Sequence, residues 1–531
     1  MPAERSTTGL VLPTLAAGQF LMTLDTSVMN VSIATVAKDV GTTVTGIQTA
    51  ITLYTLVMAS LMITGGKIGQ LVGRKRAFAV GCTIYGCGSF VTALAPNLAV
   101  LVVGWSVLEG VGAALILPAI VALVASNFER VDRPRAYGLV ASAGAIAVAA
   151  GPLIGGLFTT YLSWRLVFAG EVVIVAAILV LTRRLADTPP EGRRQLDLGG
   201  TALSALGLGL IVFGILRAGE WGFVQPKASA PAWFGLSPAL WLTLGGGVVV
   251  RLFVAWENRR IDRGAEPLVD PAILRNPVLR GGLTCFFFQY LLQAGLFFAV
   301  PLFLSVSLGL SAIATGVRLL PLSITLLLAA AGIPKVFPHA SPRRVVQVGV
   351  LALFAGIVVM AVALDAGAGP EIVTWPMLLA GLGIGALASQ LGAVTVSAVP
   401  DAQAGEVGGL QNTVTNLGAS IGTALAGAVL ISTLTSSFVA GVEQNPDVPA
   451  SVTVDAGVRL AAGIPFVSDA DLTTTLDDAG VPAATADAVV DENATARLDA
   501  LRASLAIMAL VALLALFLTR RIPDRPLAAP T

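Results

Sequence analysis

Three acidic residues stand where a carboxylate is costly. Asp25, Glu109 and Glu171 each interrupt a long apolar run, where an acidic side chain carries a penalty of about 3 kcal/mol at the centre of a bilayer. A carboxylate in that setting can bind and release a proton, recognise a cation, or hold a structural hydrogen bond. Around Asp25, the residues Gln19, Thr23, Thr26 and Asn30 recur at intervals of 4, 3 and 4, a polar stripe down one helical face. Such a face turns toward a partner helix or a water-filled cavity. His339, the one histidine, sits between Pro338 and Ala340 in a short polar connection, so any moving protons must travel on carboxylates. Cys82, Cys87 and Cys285 lie in apolar segments at no metal-ligand spacing and read as small buried hydrophobes. No metal and no cofactor are expected.

The elements that position these residues follow from composition. Of 531 residues, 56% are apolar and 12% charged, against about a quarter charged in soluble proteins. The apolar residues form runs of about 20, enough for a helix to cross about 30 Å of hydrocarbon. The expectation is an all-α membrane protein of fourteen transmembrane helices, the first centred near residue 22 and the last near residue 510. Residues 1–8 are polar, and no small-residue cleavage site follows the first apolar run, which therefore reads as an uncleaved helix. Cations recur at alternate connections: Arg74, Lys75 and Arg76; Arg130, Arg133 and Arg135; Arg183, Arg184, Arg193 and Arg194; and Arg520, Arg521 and Arg525 in the tail. The intervening connections hold few, such as Lys38, Arg165 and Lys227. That asymmetry places both termini in the cytoplasm. Trp164, Trp221, Trp233 and Trp375 fall near outer ends and Trp256 near an inner end, as interfacial anchors would. The partners expected are the lipid bilayer, a small-molecule substrate and protons, with no nucleic acid, and the chain is expected to be a monomer.

Four motifs are more specific. Gly65-Gly66-Lys67-Ile68-Gly69-Gln70-Leu71-Val72-Gly73-Arg74-Lys75-Arg76 joins the second and third runs. Leu24-Asp25-Thr26-Ser27-Val28-Met29-Asn30 lies in the first, Ala150-Gly151-Pro152-Leu153-Ile154-Gly155-Gly156 in the fifth, and Gly405-Glu406-Val407-Gly408-Gly409-Leu410-Gln411-Asn412-Thr413 opens the thirteenth. With the fourteen spans, this set resembles the drug:proton antiporter branch of the major facilitator superfamily, a group of multidrug and antibiotic efflux proteins of the cell membrane. The resemblance covers the chain outside one acidic stretch. It implies an N-terminal six-helix half over residues 1–195 and two additional helices over 196–260. The first five helices of a pseudo-symmetric second half would cover 261–436, an extracytoplasmic acidic loop 437–499, and the last helix with its tail 500–531. That loop holds eleven acidic residues against two arginines, and it either solvates the outer face or concentrates cationic solutes there.

The resemblance also distributes roles. The Gly66, Gly73, Arg74, Lys75 and Arg76 loop would latch the outward-open state, and Gly151, Pro152, Gly155 and Gly156 form the antiporter motif, whose small residues let another helix approach. Asp25, Glu109, Glu171 and Arg318 are the proton-coupling or substrate candidates. Gln289 and Gln293 share one helical face and Gln411, Asn412, Thr415 and Asn416 another, and both faces would line a central cavity. Three departures from the family each remove a charge. Gln70 replaces the usual acid, Leu71 the usual arginine, and Ser106 the basic residue of the fourth helix. Any latch must then lean on Arg74, Lys75 and amide hydrogen bonds. Glu109, where the family has glutamine, could take the proton in place of the missing arginine. Glu109 and Glu171 could also simply pair with Arg165 or Arg318. No phosphate-binding Gly-x-x-x-x-Gly-Lys-Ser/Thr loop and no nucleophile or His/Asp/Glu constellation occurs, which argues against ATP drive and against an enzyme. The function implied is proton-coupled export of amphipathic, often cationic, solutes by alternating access, or export of an endogenous metabolite, antibiotic, siderophore or lipid on the same fold.

Overall fold

The computed structural model describes residues 4–42, 44–129, 131–185, 196–227, 230–365, 368–400, 403–446, 448, 469–478 and 480–524. The helices that build it run in chain order as α1 (Glu4–Asp39), α2 (Val44–Val72), α3 (Arg74–Ala93), α4 (Leu98–Asn127), α5 (Arg133–Tyr161), α6 (Arg165–Thr182), α7 (Leu198–Trp221) and α8 (Pro238–Asp262). They continue as α9 (Pro277–Ser307), α10 (Ala312–Val336), α11 (Pro342–Ala363), α12 (Thr374–Ser397), α13 (Ala404–Gln444), the short α14 (Asp469–Asp478) and α15 (Ala483–Leu518). Among the described residues twelve helices are long and apolar enough to cross a membrane, and the protein is a multi-span membrane protein. The two long helices outside that dozen are α1 and α3. The first carries the polar stripe around Asp25, and the second opens on three cations.

Local chemistry starts these helices where they start. Asn276 accepts from the amides of Val278 (2.9 Å) and Leu279 (3.3 Å) ahead of α9, and Ser341 accepts from Arg344 (3.2 Å) ahead of α11. Pro277 and Pro342 occupy first-turn positions whose missing N–H costs nothing. Gly73, at φ 100°, breaks α2 from α3 in a backbone region that other residues avoid.

In the first part of the chain α1 packs on α5, α2 and α3 on α4, and α3 on α6. In the last part α9 packs on α13, α10 and α11 on α12, and α13 on α15. The two groups meet along α5 with α10 and α12, and along α2 and α4 with α13. Glycines set these distances. A Cβ on Gly138 would lie 2.7 Å from the Ala330 carbonyl oxygen of α10, and one on Gly409 would lie 3.0 Å from that of Met62 in α2. Helices α7 and α8 pack on each other, and α7 leans on α2 and α13.

Three expectations need adjustment. Both α13 and α15 run helically into the 437–499 stretch, whose second end, from Ala483 to Asp499, is alanine-rich and helix-favouring. There Asn445 donates to Glu492 (2.9 Å), and Arg497 pairs with Asp469 of α14. Trp164 is no interfacial anchor. It is buried, and its Nε1 donates to Asp39 at 3.0 Å. Cys87 is exposed on the outer surface of α3, whereas Cys82 and Cys285 are buried.

Candidate functional site

Helix α4 is not uniform. Between Val102 and Glu109 it widens into a π-helical stretch, a local change in winding that often marks functional positions. The widened turn buries Trp105, Ser106 and Glu109. Ser106, at the position the family resemblance assigns to a base, donates to the Ala50 carbonyl at 2.8 Å and ties α4 to α2. Gly88 lets α3 come close, since a Cβ there would lie 2.6 Å from Cγ of Glu109.

Into this space three helices bring one carboxylate each: Asp25 from α1, Glu109 from α4 and Glu171 from α6. Their exposures are 0%, 0% and 1%, and ligating oxygens from all three lie within 4.8 Å of one another. Trp105 Nε1 donates to both Asp25 oxygens, at 2.8 and 2.9 Å, and the Trp105 ring stacks on Tyr54 at 5.2 Å. Glu171 Oε2 accepts from Ser89 (3.0 Å) and Tyr85 (3.4 Å), and Glu109 Oε1 accepts from Thr92 (3.2 Å). Among the described residues Glu109 Oε2 and Glu171 Oε1 have no hydrogen-bond partner, and no lysine or arginine pairs with the three acids. Arg165, the first suggested partner, instead pairs with Asp39 (3.2 Å) and donates to the Ala95 carbonyl (2.9 Å). Arg318 is half-buried on α10, in the other group of helices, and has no ion pair among the described residues. Three carboxylates this close and this dry repel one another when charged, and no cation among the described residues offsets that repulsion.

The polar stripe of α1 divides. Gln19 donates to Thr23 at 3.3 Å, and both face Gly144 of α5, while Thr26 is half-buried. The side chains of Asn30 and Pro152 lie outside the described residues. Gly151 and Gly155 of α5 face Ser27 and Val28 of α1, so these antiporter-motif glycines seat the helix that carries Asp25, while Gly138 supplies the close approach to α10. Gly156 is buried in the same helix. In the last part of the chain, Asn412, Thr415 and Asn416 bond to backbone carbonyls of their own helix, and Asn416 also reaches Met62 of α2. Gln411 donates to Thr395 of α12. Gln289 is buried and Gln293 half-buried.

A second charged group sits on the seam between α2 and α13. Gly66 and Gly405 bring the two backbones together there. Beside them the buried Lys67 pairs with Glu406 of α13 (3.5 Å) and with Glu266 (3.3 Å), in the segment after α8. Lys75 donates to the Arg183 and Leu185 carbonyls at the end of α6 (2.9 and 2.8 Å), and Arg74 donates to Ala122 of α4 (3.2 Å), as cations at helix C-termini do. Arg76 is exposed. Lys67 is the residue that sequence reasoning passed over. Its signal was present, a lysine and a glutamate each directly following a glycine in a quoted motif.

The arrangement is that of a helical membrane transporter: long apolar helices in two packed groups, glycine-lined seams between them, and a dry carboxylate cluster. The chain belongs to the Major Facilitator Superfamily, whose family model matches residues 15–423. It is a transporter and not an enzyme. It is 29% identical over 447 residues to a probable actinorhodin transporter of Streptomyces coelicolor, covering 81% of this chain and 74% of that one. A puromycin resistance protein of Streptomyces alboniger is 30% identical, with 81% and 82% covered, and the multidrug resistance protein Stp of Mycobacterium tuberculosis is 24% identical, with 81% and 77% covered. Among solved structures, the human organic anion transporter MFSD10 superposes with a TM-score of 0.59 at 12% identity, covering 98% of this chain and all of that one. A proton:xylose symporter gives 0.54 at 15% identity, with 98% and 97% covered.

Proposed function

We propose that this protein is a proton-coupled exporter of amphipathic small molecules, often cationic, working by alternating access in the plasma membrane. The observation that carries this reading is the cluster of Asp25, Glu109 and Glu171, dry and without a fixed counter-charge. Protons are the simplest positive charge such a cluster can take up and give back. Glu109 and Glu171 each keep an unpaired oxygen for one, and Trp105 holds Asp25 in place. Protonation from the outer side and release to the cytoplasm would alternate with substrate binding.

In this reading α1 and α3 also span, making fourteen transmembrane helices with both termini cytoplasmic. Helices α1–α6 and α9–α13 with α15 are the two halves, and α7 and α8 are the added pair. The seam of Gly66, Lys67, Gly405 and Glu406 then lies on the cytoplasmic side and latches the outward-open state, with Lys67 doing what the family's acid and arginine would do at Gln70 and Leu71. Thr26, Gln289, Gln293, Gln411, Asn412, Thr415, Asn416 and Arg318 line the path between the halves. The chain works as a monomer. The names of the relatives favour a particular cargo: the actinorhodin and puromycin proteins point to antibiotic export.

The test is proton flux in everted membrane vesicles with an acidic lumen, challenged with cationic and neutral amphiphiles and with antibiotics. Wild type should collapse the pH gradient on addition of substrate, and Asp25→Asn and Glu109→Gln should not. Collapse of equal size in both variants would overturn the reading.

A further inference from the structure

We infer that the cavity between the start of α9 and the end of α15 binds one anionic phospholipid, its phosphate on Arg280 and Arg521 and an acyl chain along α9. Its place in the cytoplasmic leaflet rests on the orientation given above, whereas the binding itself is independent of proton coupling.

The cavity measures about 450 Å³ and is lined from α9, from α13 and from the turn at residues 519–521 that follows α15. Gly281 lets these elements meet. A Cβ there would lie 2.9 Å from both Cβ and the carbonyl oxygen of Arg521, so the two backbones pack directly on each other. The residue before that glycine, Arg280, then lines the same cavity as Arg521.

Both arginines are exposed, and neither forms an ion pair or a side-chain hydrogen bond among the described residues. Their neighbours are engaged. Arg343 donates to the Ile522 carbonyl (2.8 Å), Arg520 lies over the Phe517 ring (4.6 Å), and Asp524, the nearby acid, accepts from Ser341 (3.1 Å). Two guanidiniums at one cavity suit a phosphate, which each can hold through paired, charge-assisted hydrogen bonds.

The rest of the lining is a separate observation and points to a lipid. Leu283 and Phe287 follow Arg280 at spacings of three and seven on the same face of α9, and Val414 of α13 joins them. Seven residues of helix cover about 10 Å, and α9 is long and apolar enough to span. Thr284, between the two, donates its hydroxyl to the Arg280 carbonyl at 2.7 Å, so it offers a ligand little polarity. The cavity is thus cationic at one end and apolar at the other, as a phospholipid is anionic at its head and apolar beyond it. A soluble phosphate would leave the apolar part unused, and a neutral lipid would leave the arginines unanswered. Basic pockets between spans on the cytoplasmic side hold anionic headgroups in this way.

The experiment titrates the full chain in neutral detergent with phosphatidylglycerol or phosphatidylcholine of matched chains and reads bound lipid by native mass spectrometry. The first phosphatidylglycerol should bind at a concentration at least about tenfold below that needed for phosphatidylcholine. Arg280→Ala combined with Arg521→Ala should abolish that preference. Arg280→Lys with Arg521→Lys keeps the charge, loses the paired hydrogen bonds, and should retain only part of it; this pair decides where the alanine pair fails to fold. Thr284→Trp keeps both arginines, fills the apolar part, and should weaken phosphatidylglycerol binding several-fold. Arg259→Ala with Arg263→Ala removes equal charge from exposed positions at the end of α8 and should leave the preference intact. Equal binding of the two lipids by wild type, a preference that survives loss of Arg280 and Arg521, or an equal loss in the α8 control would overturn the inference. So would displacement of the lipid by an equal concentration of glycerophosphoglycerol, the headgroup without chains, which would mark a site for soluble anions. The measurement uses neither substrate nor pH gradient, so its failure and that of the proton-coupled reading are separate results.

Discussion

Two groups of buried carboxylates invite comparison. Glu406, on the seam between α2 and α13, is neutralised by a fixed cation, Lys67, carried by the opposing helix. Asp25, Glu109 and Glu171 are drier still, sit on three helices of one group, and have no fixed cation among the described residues. A buried charge with its partner built in is a clasp, because breaking it strands a charge in a poor solvent. A buried charge whose partner must come from solution can exchange that partner. The same side-chain chemistry therefore stands in two settings, one with a built-in partner and one without, and the difference is one lysine.

The sharpest way to break this contrast is to remove the exchangeable acids. Asp25→Asn or Glu109→Gln should reduce substrate-driven proton flux in vesicles to that of vesicles lacking the protein, while the folded protein still elutes as a single species. Next in size is the clasp. Lys67→Ala leaves Glu406 buried and unpaired and should destabilise the protein by about 3–5 kcal/mol, read as a fall in thermal midpoint. Lys67→Met combined with Glu406→Leu should recover most of that loss while biasing the transporter away from the latched state. If the double variant is no more stable than Lys67→Ala alone, the pair is not a clasp.

Trp105→Phe removes the donor that holds Asp25 and leaves a carboxylate short of a hydrogen bond. A loss of about 1–3 kcal/mol in stability is expected, with partial loss of coupling in the same vesicle assay. The smallest effect belongs to Arg165→Ala. Its pair with Asp39 is 31% and 39% exposed and so open to solvent screening, and the change should cost about 1 kcal/mol and leave proton flux intact. A large loss of flux there would mean that Arg165 serves the acids after all.

Much of the cluster could be read from the chain. Asp25, Glu109 and Glu171 each stood out because an acid in an apolar run is expensive wherever the fold places it. That they converge could not be read. They lie on different helices, dozens of residues apart, with none of the close spacing that marks a metal or catalytic motif, so the sequence suggested separate acids and no ligand cluster. The hydroxyls of Tyr54, Tyr85, Ser89 and Thr92 were silent for a related reason, since such residues are ordinary in membrane helices until something expensive lies beside them. Lys67 was hidden by its neighbours, because three consecutive cations at Arg74–Arg76 dominate the loop by count although only burial decides which cation matters.

By itself, then, the sequence determined the environment and the family: apolar runs of bilayer length, cations at alternate connections, glycine-rich motifs at the seams, and acids whose cost demanded a reason. Tertiary structure alone decided which charges meet. It joined Lys67 to Glu406 across α2 and α13, sent Arg165 to Asp39, and left three carboxylates together with no lysine or arginine among the described residues paired to them. The physical reason is range. Hydropathy and backbone preference act over one helix and are written in it, whereas a charge pair or an ion site depends on distances of a few ångströms between helices, which only their packing sets.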